Sequence, residues 1–215
     1  MSVWVKVCGI ATPEALAAAA SAGADEVGFV FFPASPRALT PEQAGALSAT
    51  LEGGPGRVGL FVDPTDEELA ETLAAVPLDT IQLHGEETPA RVAEIRARFR
   101  RPVMKALGIA TEADLAAIPP HAAVADRLLL DAKAPPGAAL PGGNAQPFEW
   151  RLVRGLAVGR PWLLAGGLTP GNVAEAIATA GAPGVDASSG LERERGVKDS
   201  ALVAAFVKAA RGASV

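Results

Sequence analysis

Short, almost wholly apolar runs alternate with alanine-rich helical patterns along this chain, and that rhythm restricts its possible folds more than any other feature. The strand-like runs are Val3–Val7, Glu26–Phe31, Arg57–Phe61, Thr80–Leu83, Val103–Ala106, Arg127–Leu130, Trp162–Ala165 and Gly184–Asp186. Thr12, Thr40, Thr88 and Thr169 each precede a proline, at Pro13, Pro41, Pro89 and Pro170. Threonine caps a helix, and proline suits the first helical position, so each pair predicts a helix start. Thr65–Ala75, Thr111–Ala117 and Asp199–Ala210 carry further helical patterns.

Strands that are apolar on both faces belong to a parallel sheet covered on both sides. A doubly wound sheet and a closed (β/α)8 barrel share this alternation. About eight strand–helix units and the lack of an early Gly-x-Gly-x-x-Gly favour the barrel. Gly53-Gly54-Pro55-Gly56 reads as a turn, and Ala132 to Pro147 as a long loop after the sixth strand, because the rhythm resumes beyond it. The expectation is α/β, a single-domain TIM barrel over residues 1–215.

A net charge of −5 argues against nucleic acid and anionic membranes as partners, though a local cationic pocket for a small anion stays open. One cysteine excludes a disulfide framework, and two histidines give no evident zinc cluster, so no metal is expected. No apolar stretch approaches the ~18 residues of a membrane span. The N-terminus carries neither a charged leader nor an h-region, so a cytoplasmic protein is expected. Monomer and homodimer both remain open.

In a barrel the loops after the strands carry function. Polar residues interrupt the apolar runs at that end. Lys6 and Cys8 close the first strand and Ser35-Pro36-Arg37 follows the second. His84-Gly85 follows the fourth, Lys105 lies on the fifth, and Asp131 closes the sixth. Gly166-Gly167 follows the seventh, and Asp186 with Ser188-Ser189-Gly190 ends the eighth. Cys8, the lone cysteine, is either a thiolate favoured by a nearby cation or a small core hydrophobe. Asp131, after three leucines, is either a desolvated general acid or a turn cap. Arg37 either grips a carboxylate or sits exposed. His84 either donates to a substrate or satisfies a carbonyl, while His121 reads as solvated. The glycines and serines after strands seven and eight suit a phosphate or two tight turns. Glu192-Arg193-Glu194-Arg195 reads as a solvated loop of mixed charge.

Together these segments resemble phosphoribosylanthranilate isomerase. The resemblance rests on Lys6-Val7-Cys8-Gly9-Ile10, Phe31-Phe32 with Ser35-Pro36-Arg37, Val58-Gly59-Leu60-Phe61-Val62, Gln82-Leu83-His84-Gly85, Leu130-Asp131, Ala165-Gly166-Gly167-Leu168, and Val185-Asp186 with Ser188-Ser189-Gly190 through Gly196-Val197-Lys198-Asp199. It runs in order from about residue 3 to about residue 210. Ala145 and Glu149 depart from the family's glycine and aspartate.

The resemblance implies a cofactor-free Amadori rearrangement of a phosphorylated sugar-amine in tryptophan biosynthesis. Asp131 would be the acid and Cys8 the base, with Lys6 supporting the thiolate. Arg37 would bind the anthranilate carboxylate, His84 and Asp186 would touch substrate, and Gly166, Gly167, Ser188, Ser189 and Gly190 would bind phosphate. Among other phosphosugar barrels, a metal-dependent epimerase would need more strand-end histidines, and the sugar-amine isomerase of histidine synthesis would place aspartate where Cys8 stands. A non-catalytic barrel would bind such a ligand without turnover.

Overall fold

The computed structural model describes residues 2–134 and 148–213. Eight parallel strands close into a barrel in chain order, with the last hydrogen-bonded to the first. They are β1 (Trp4–Cys8), β2 (Glu26–Val30), β3 (Gly56–Phe61), β4 (Thr80–Leu83), β5 (Val103–Ile109), β6 (Arg127–Ala132), β7 (Trp162–Leu164) and β8 (Gly184–Ala187). Between and after them lie α1 (Pro13–Ala22), α2 (Pro41–Ala49), α3 (Asp66–Ala75), α4 (Pro89–Phe99), α5 (Ile118–Ala122), α6 (Val173–Ala180) and α7 (Ser200–Gly212). A small antiparallel hairpin, β9 (Glu192–Glu194) and β10 (Val197–Lys198), follows β8. Most of the loop expected over 132–147 lies outside the described residues. No helix among the described residues is long and apolar enough to cross a membrane.

Three of the four Thr-Pro pairs start helices as expected. Thr12, Thr40 and Thr88 each accept a hydrogen bond from the backbone two residues past the proline. The fourth does not. Pro170 lies in a turn, and α6 begins only at Val173, after Asn172. The Asn172 side chain accepts from Thr169 N at 2.8 Å and donates to Gly167 O at 3.0 Å, so it ties the segment back onto the chain that precedes it. The pattern at Thr111–Ala117 also resolves differently. It forms a 3-10 turn (Glu112–Ala117) that leads into the short α5, where Pro119 and Pro120 occupy the first turn. Arg211 of α7 donates to Gly23 O at 2.9 Å and Asp25 Oδ2 at 2.8 Å, which fastens the last helix over the start of the barrel.

Strand parity divides the core in two. Side chains alternate across a strand, so Val5, Val7, Val27, Phe29, Ile81, Leu83, Leu128, Leu130 and Val185 pack outward beneath the helices. Val58, Met104, Ala106, Leu129, Leu163 and Ala165 fill the lumen. Lys105 shares register with Leu83 and Leu128 and therefore faces outward, not into the mouth. It is buried against Glu87 at 2.7 Å and donates to Gly85 O at 2.7 Å, which braces the loop after β4 from behind.

The N-terminal end of the lumen is closed by charge. Arg127 grips Glu26 across the barrel, Nη1 to Oε2 at 3.0 Å and Nη2 to Oε1 at 2.5 Å. Trp4 Nε1 donates to the same Oε2 at 3.1 Å, and Arg127 also reaches Thr80 Oγ1 at 3.0 Å. Residues of four strands thus share one network. Removing one partner of such a pair strands the other. Glu26→Ala is expected to cost ~3 kcal/mol, the low end for a buried pair because Arg127 keeps some water contact. At a slope of ~2–3 kcal/mol/M that lowers the urea midpoint by about 1 M, with KM unchanged. A midpoint within about 0.3 M of wild type would show the network to be dispensable, on the same slope.

Candidate active site

At the opposite end the strand termini surround a pocket of about 700 Å³, part of it open to solvent. Cys8, Arg37, His84, Asp131, Gly166, Gly167, Asp186, Ser188 and Ser189 all line it. Val30, Phe32, Leu60 and Val62 form an apolar wall. The thiol of β1 and the carboxyl of β6 therefore face one common space.

Two of the expected residues stand back from that space. Lys6 is fully buried below the pocket and bonds Asp186 Oδ1 at 2.9 Å. It reaches the mouth only through Asp186 and Cys8. Gly190 packs on Leu168, whose carbonyl oxygen lies 2.0 Å from where a Cβ would sit, so a side chain there is excluded.

The electrostatics around Cys8 are a contest. Burial pushes the thiol up, while Lys6 pulls it down, Asp186 pushes it up again, and Lys198 opposes. Burial likewise pushes Asp186 up against the pull of Lys6. Burial pulls the Lys6 ammonium down, but Asp186 and Cys8 outweigh it and hold it above the ordinary lysine range. Lys6 is thus a fixed cation beneath the sulfur.

Asp131 is held from two sides. Its Oδ1 accepts from Ala132 N at 2.8 Å, and its Oδ2 lies 3.2 Å from His84 Nε2. Behind it, the Gln82 amide nitrogen is 3.1 Å from His84 Nδ1. An amide nitrogen only donates, so in this orientation Nδ1 accepts and Nε2 carries its proton toward Asp131. Gln82 Oε1 is buried with no partner among the described residues.

Several participants carry no local signal in the sequence. Gly28 of β2 leaves room for the thiol, since a Cβ there would lie 2.8 Å from Cys8 Sγ and 3.3 Å from Lys6 Nζ. Glu192, expected in solvent, has a buried side chain: its two oxygens accept from Arg37 Nε at 2.6 Å and Nη2 at 2.9 Å. Lys198 Nζ adds a bond at 2.7 Å and Gly196 N one at 3.0 Å. Burial pushes the Glu192 carboxyl up, but Arg37 and Lys198 bring it down to about 2. Nothing in the run Glu192-Arg193-Glu194-Arg195 distinguishes its first member; only the hairpin geometry does. His121 is also not free in solvent. Its ring nitrogens meet Ala117 O at 2.8 Å and Glu87 O at 3.2 Å.

A family model described as N-(5'phosphoribosyl)anthranilate (PRA) isomerase matches residues 5–209. The chain belongs to this isomerase family. An N-(5'-phosphoribosyl)anthranilate isomerase of Paramagnetospirillum magneticum is 55% identical over 212 residues, covering 99% of each chain. One from Paracoccus denitrificans is 56% identical over 207 residues, covering 96% of each. The crystal structure of phosphoribosyl anthranilate isomerase from Thermotoga maritima superposes with a TM-score of 0.88 at 36% identity, covering 98% of this chain and 99% of that one. A 3-hexulose-6-phosphate synthase, 17% identical with a TM-score of 0.65, shares the fold.

The fit between Gly28 and the sulfur generates a test. Gly28→Ala would force Cys8 or the backbone of β1 to shift, and overpacking of this kind costs ~1–3 kcal/mol. Misplacing a reacting group by about 1 Å can cost ~10²-fold in rate. Turnover is expected to fall by about that factor while the fold survives by circular dichroism. Wild-type turnover in Gly28→Ala would show that the sulfur's position is not critical.

Proposed function

We propose that this chain converts N-(5-phosphoribosyl)anthranilate to the aminoketose 1-(2-carboxyphenylamino)-1-deoxyribulose 5-phosphate, with Cys8 as base and Asp131 as acid. The observation that carries this reading is the presence of both groups on one pocket, with anion-binding and apolar walls beside them. The relatives' shared name supports the same reaction, and one solved phosphoribosyl anthranilate isomerase, with a TM-score of 0.84 at 35% identity, is in complex with the reduced form of that product.

The substrate's parts match the pocket's parts. Gly166 and Gly167 have positive φ, 89° and 64°, and their N–H groups have no partner among the described residues. With Ser188 and Ser189 they offer a phosphate site at the strands where barrels hold one. The aromatic ring suits Val30, Phe32, Leu60 and Val62. Its carboxylate meets Arg37, and the ribose spans Cys8 and Asp131.

Asp131 gives a proton to the ring oxygen as the nitrogen lone pair breaks the C1–O bond. The product is a protonated imine. Its positive charge acidifies the C2 proton and, close to the sulfur, adds a cation that favours the thiolate. Cys8 removes the C2 proton, which leaves an enolamine. Return of a proton to C1 and loss of one from the C2 hydroxyl give the ketone, and they balance the two earlier transfers. His84, hydrogen-bonded to the acid, orients it. A catalytic thiol must stay reduced, which suits the cytoplasm.

Cys8→Ser and Asp131→Asn are each expected to lower turnover of freshly prepared phosphoribosylanthranilate by at least ~10²-fold, followed by anthranilate fluorescence. Wild-type turnover in either removes that role. Arg37→Ala leaves Glu192 paired with Lys198, which limits the loss of stability, and KM is expected to rise by ~10-fold or more, the scale of a lost charged hydrogen bond. An unchanged KM would place the anthranilate carboxylate elsewhere.

A further inference from the structure

We propose that Glu192 is a positioning residue for this reaction, an anionic clamp on the β9–β10 hairpin that holds the Arg37 guanidinium at the mouth and the Lys198 ammonium beside Cys8. The inference rests on the reading of Cys8 and Arg37 given above.

The two cations reach the clamp from different parts of the chain. Arg37 arrives from the loop after β2 and Lys198 from β10. The Glu192 carboxylate, with side-chain exposure of 4%, pairs with both of them. Four donors saturate it: Arg37 Nε and Nη2, Lys198 Nζ and Gly196 N. The last requires the hairpin turn at Gly196, whose φ is 88°. By contrast the side chains of Arg193 and Glu194, next along the strand, are 65% and 69% exposed.

For Arg37, the clamp occupies Nε and one face of Nη2. Nη1 has no partner among the described residues, and the residue lines the pocket. Arginine side chains lose much rotamer freedom when they bind a planar anion. Here that freedom is already lost before substrate arrives.

For Lys198, the clamp sets the distance to the base. Its Nζ also bonds Ser188 O at 3.2 Å and lies 3.3 Å from the position a Cβ on Gly9 would take. Gly9 directly follows Cys8. A Cβ there would also strike Arg37 Cδ at 2.5 Å and lie 3.1 Å from Ser188 Oγ, so only glycine lets Arg37 and Lys198 pack this close to the residue after the base. The charged groups facing Cys8 are Lys6 on its own strand, Asp186 on β8 and Lys198 on β10. Those facing Lys198 are Glu192, Cys8 and Arg37. Burial pulls the Lys198 ammonium down, and Glu192 resists. Without the carboxylate, Lys198 would shed its proton more readily and stop supporting the thiolate.

The test compares Glu192→Gln, Lys198→Met, Arg37→Met and the double variant Arg37→Met/Glu192→Gln in the full chain, each checked for folding. In Glu192→Gln, KM is expected to rise by ~10-fold, the cost of ordering one long side chain. The acid limb of kcat/KM that reports Cys8 should also move up by ~1 pH unit, since a supporting cation is lost. In the Arg37→Met background Glu192→Gln should add no further rise in KM. Lys198→Met should move the limb and leave KM alone. A Glu192→Gln variant altered only in melting temperature overturns the proposal, as do independent, multiplying KM effects in the double variant. If Glu192→Gln does not fold, Lys198→Met decides: an unmoved limb overturns the proposal, and a shifted one supports it. Cys8→Ser separates the two layers. If it retains turnover the catalytic reading fails, while the KM coupling of Arg37 and Glu192 still tests the clamp.

Discussion

The hydrogen bonds that join β1 to β8 decide where every functional group in this molecule points. Closing the sheet aligns Trp4 with Gly184 and Lys6 with Asp186, and on the other side Lys6 with Glu26 and Cys8 with Gly28. Once that register is set, alternate residues of each strand must enter the lumen. Lys6 and Cys8 have one parity and so share one space with Asp186. A slip of one residue would turn Cys8 outward under the helices and bring Val7 into the mouth. Chemistry here is a consequence of closure. The apolar outward residues, buried beneath the helices, hold the register because exposing them would forfeit most of the core.

Closure also explains why the site contains so much opposed charge. A narrow lumen removes water, so each group in it feels its neighbours strongly. An isolated ammonium at the depth of Lys6 would be costly, and so would an isolated carboxylate at Asp186. Each makes the other tolerable. The thiol above them receives the remainder: enough positive field to make its anion accessible, but enough burial to keep it basic. Those two demands conflict in water, where a thiol that ionises easily is a weaker base. Cations fixed by their own partners let the protein meet both.

Much of this was legible in the sequence for a physical reason. Parallel strands covered on both faces are apolar, so a polar residue within or at the end of one stands out. Cys8, His84, Asp131 and Asp186 were visible that way, and all four line the pocket. Lys105 stood out equally but faces outward; its parity could be assigned only once its register with Leu83 and Leu128 was known. Thr169-Pro170 has the same local chemistry as the pairs that start helices, yet Asn172 recaptures the backbone and delays α6. Glu192 was illegible because the burial of one side chain on a short hairpin is a tertiary property. Its neighbours Arg193 and Glu194 look the same in composition and lie in water. The fold was therefore readable from periodicity, the strand-end groups from interruptions in it, and Arg37, Gly166, Gly167, Ser188 and Ser189 from their place after the strands, while Glu192 emerged only from its contacts.

The two ends of the barrel show how the same materials serve different ends. At the bottom, Glu26, Arg127, Trp4 and Thr80 satisfy one another, and the network asks nothing of a ligand. At the top the accounting is left open. Arg37 Nη1 has no partner among the described residues, and burial holds the Cys8 and Asp186 pKa values above their ordinary levels. Each of these is a small destabilisation that a fully optimised core would have removed. Each also makes the site ready to receive charge of a given sign at a given place, because an unsatisfied donor or a reluctant anion gains when a ligand completes it. Polar groups completed at one pole and left open at the other locate the reaction on this barrel as firmly as the identity of any single residue does.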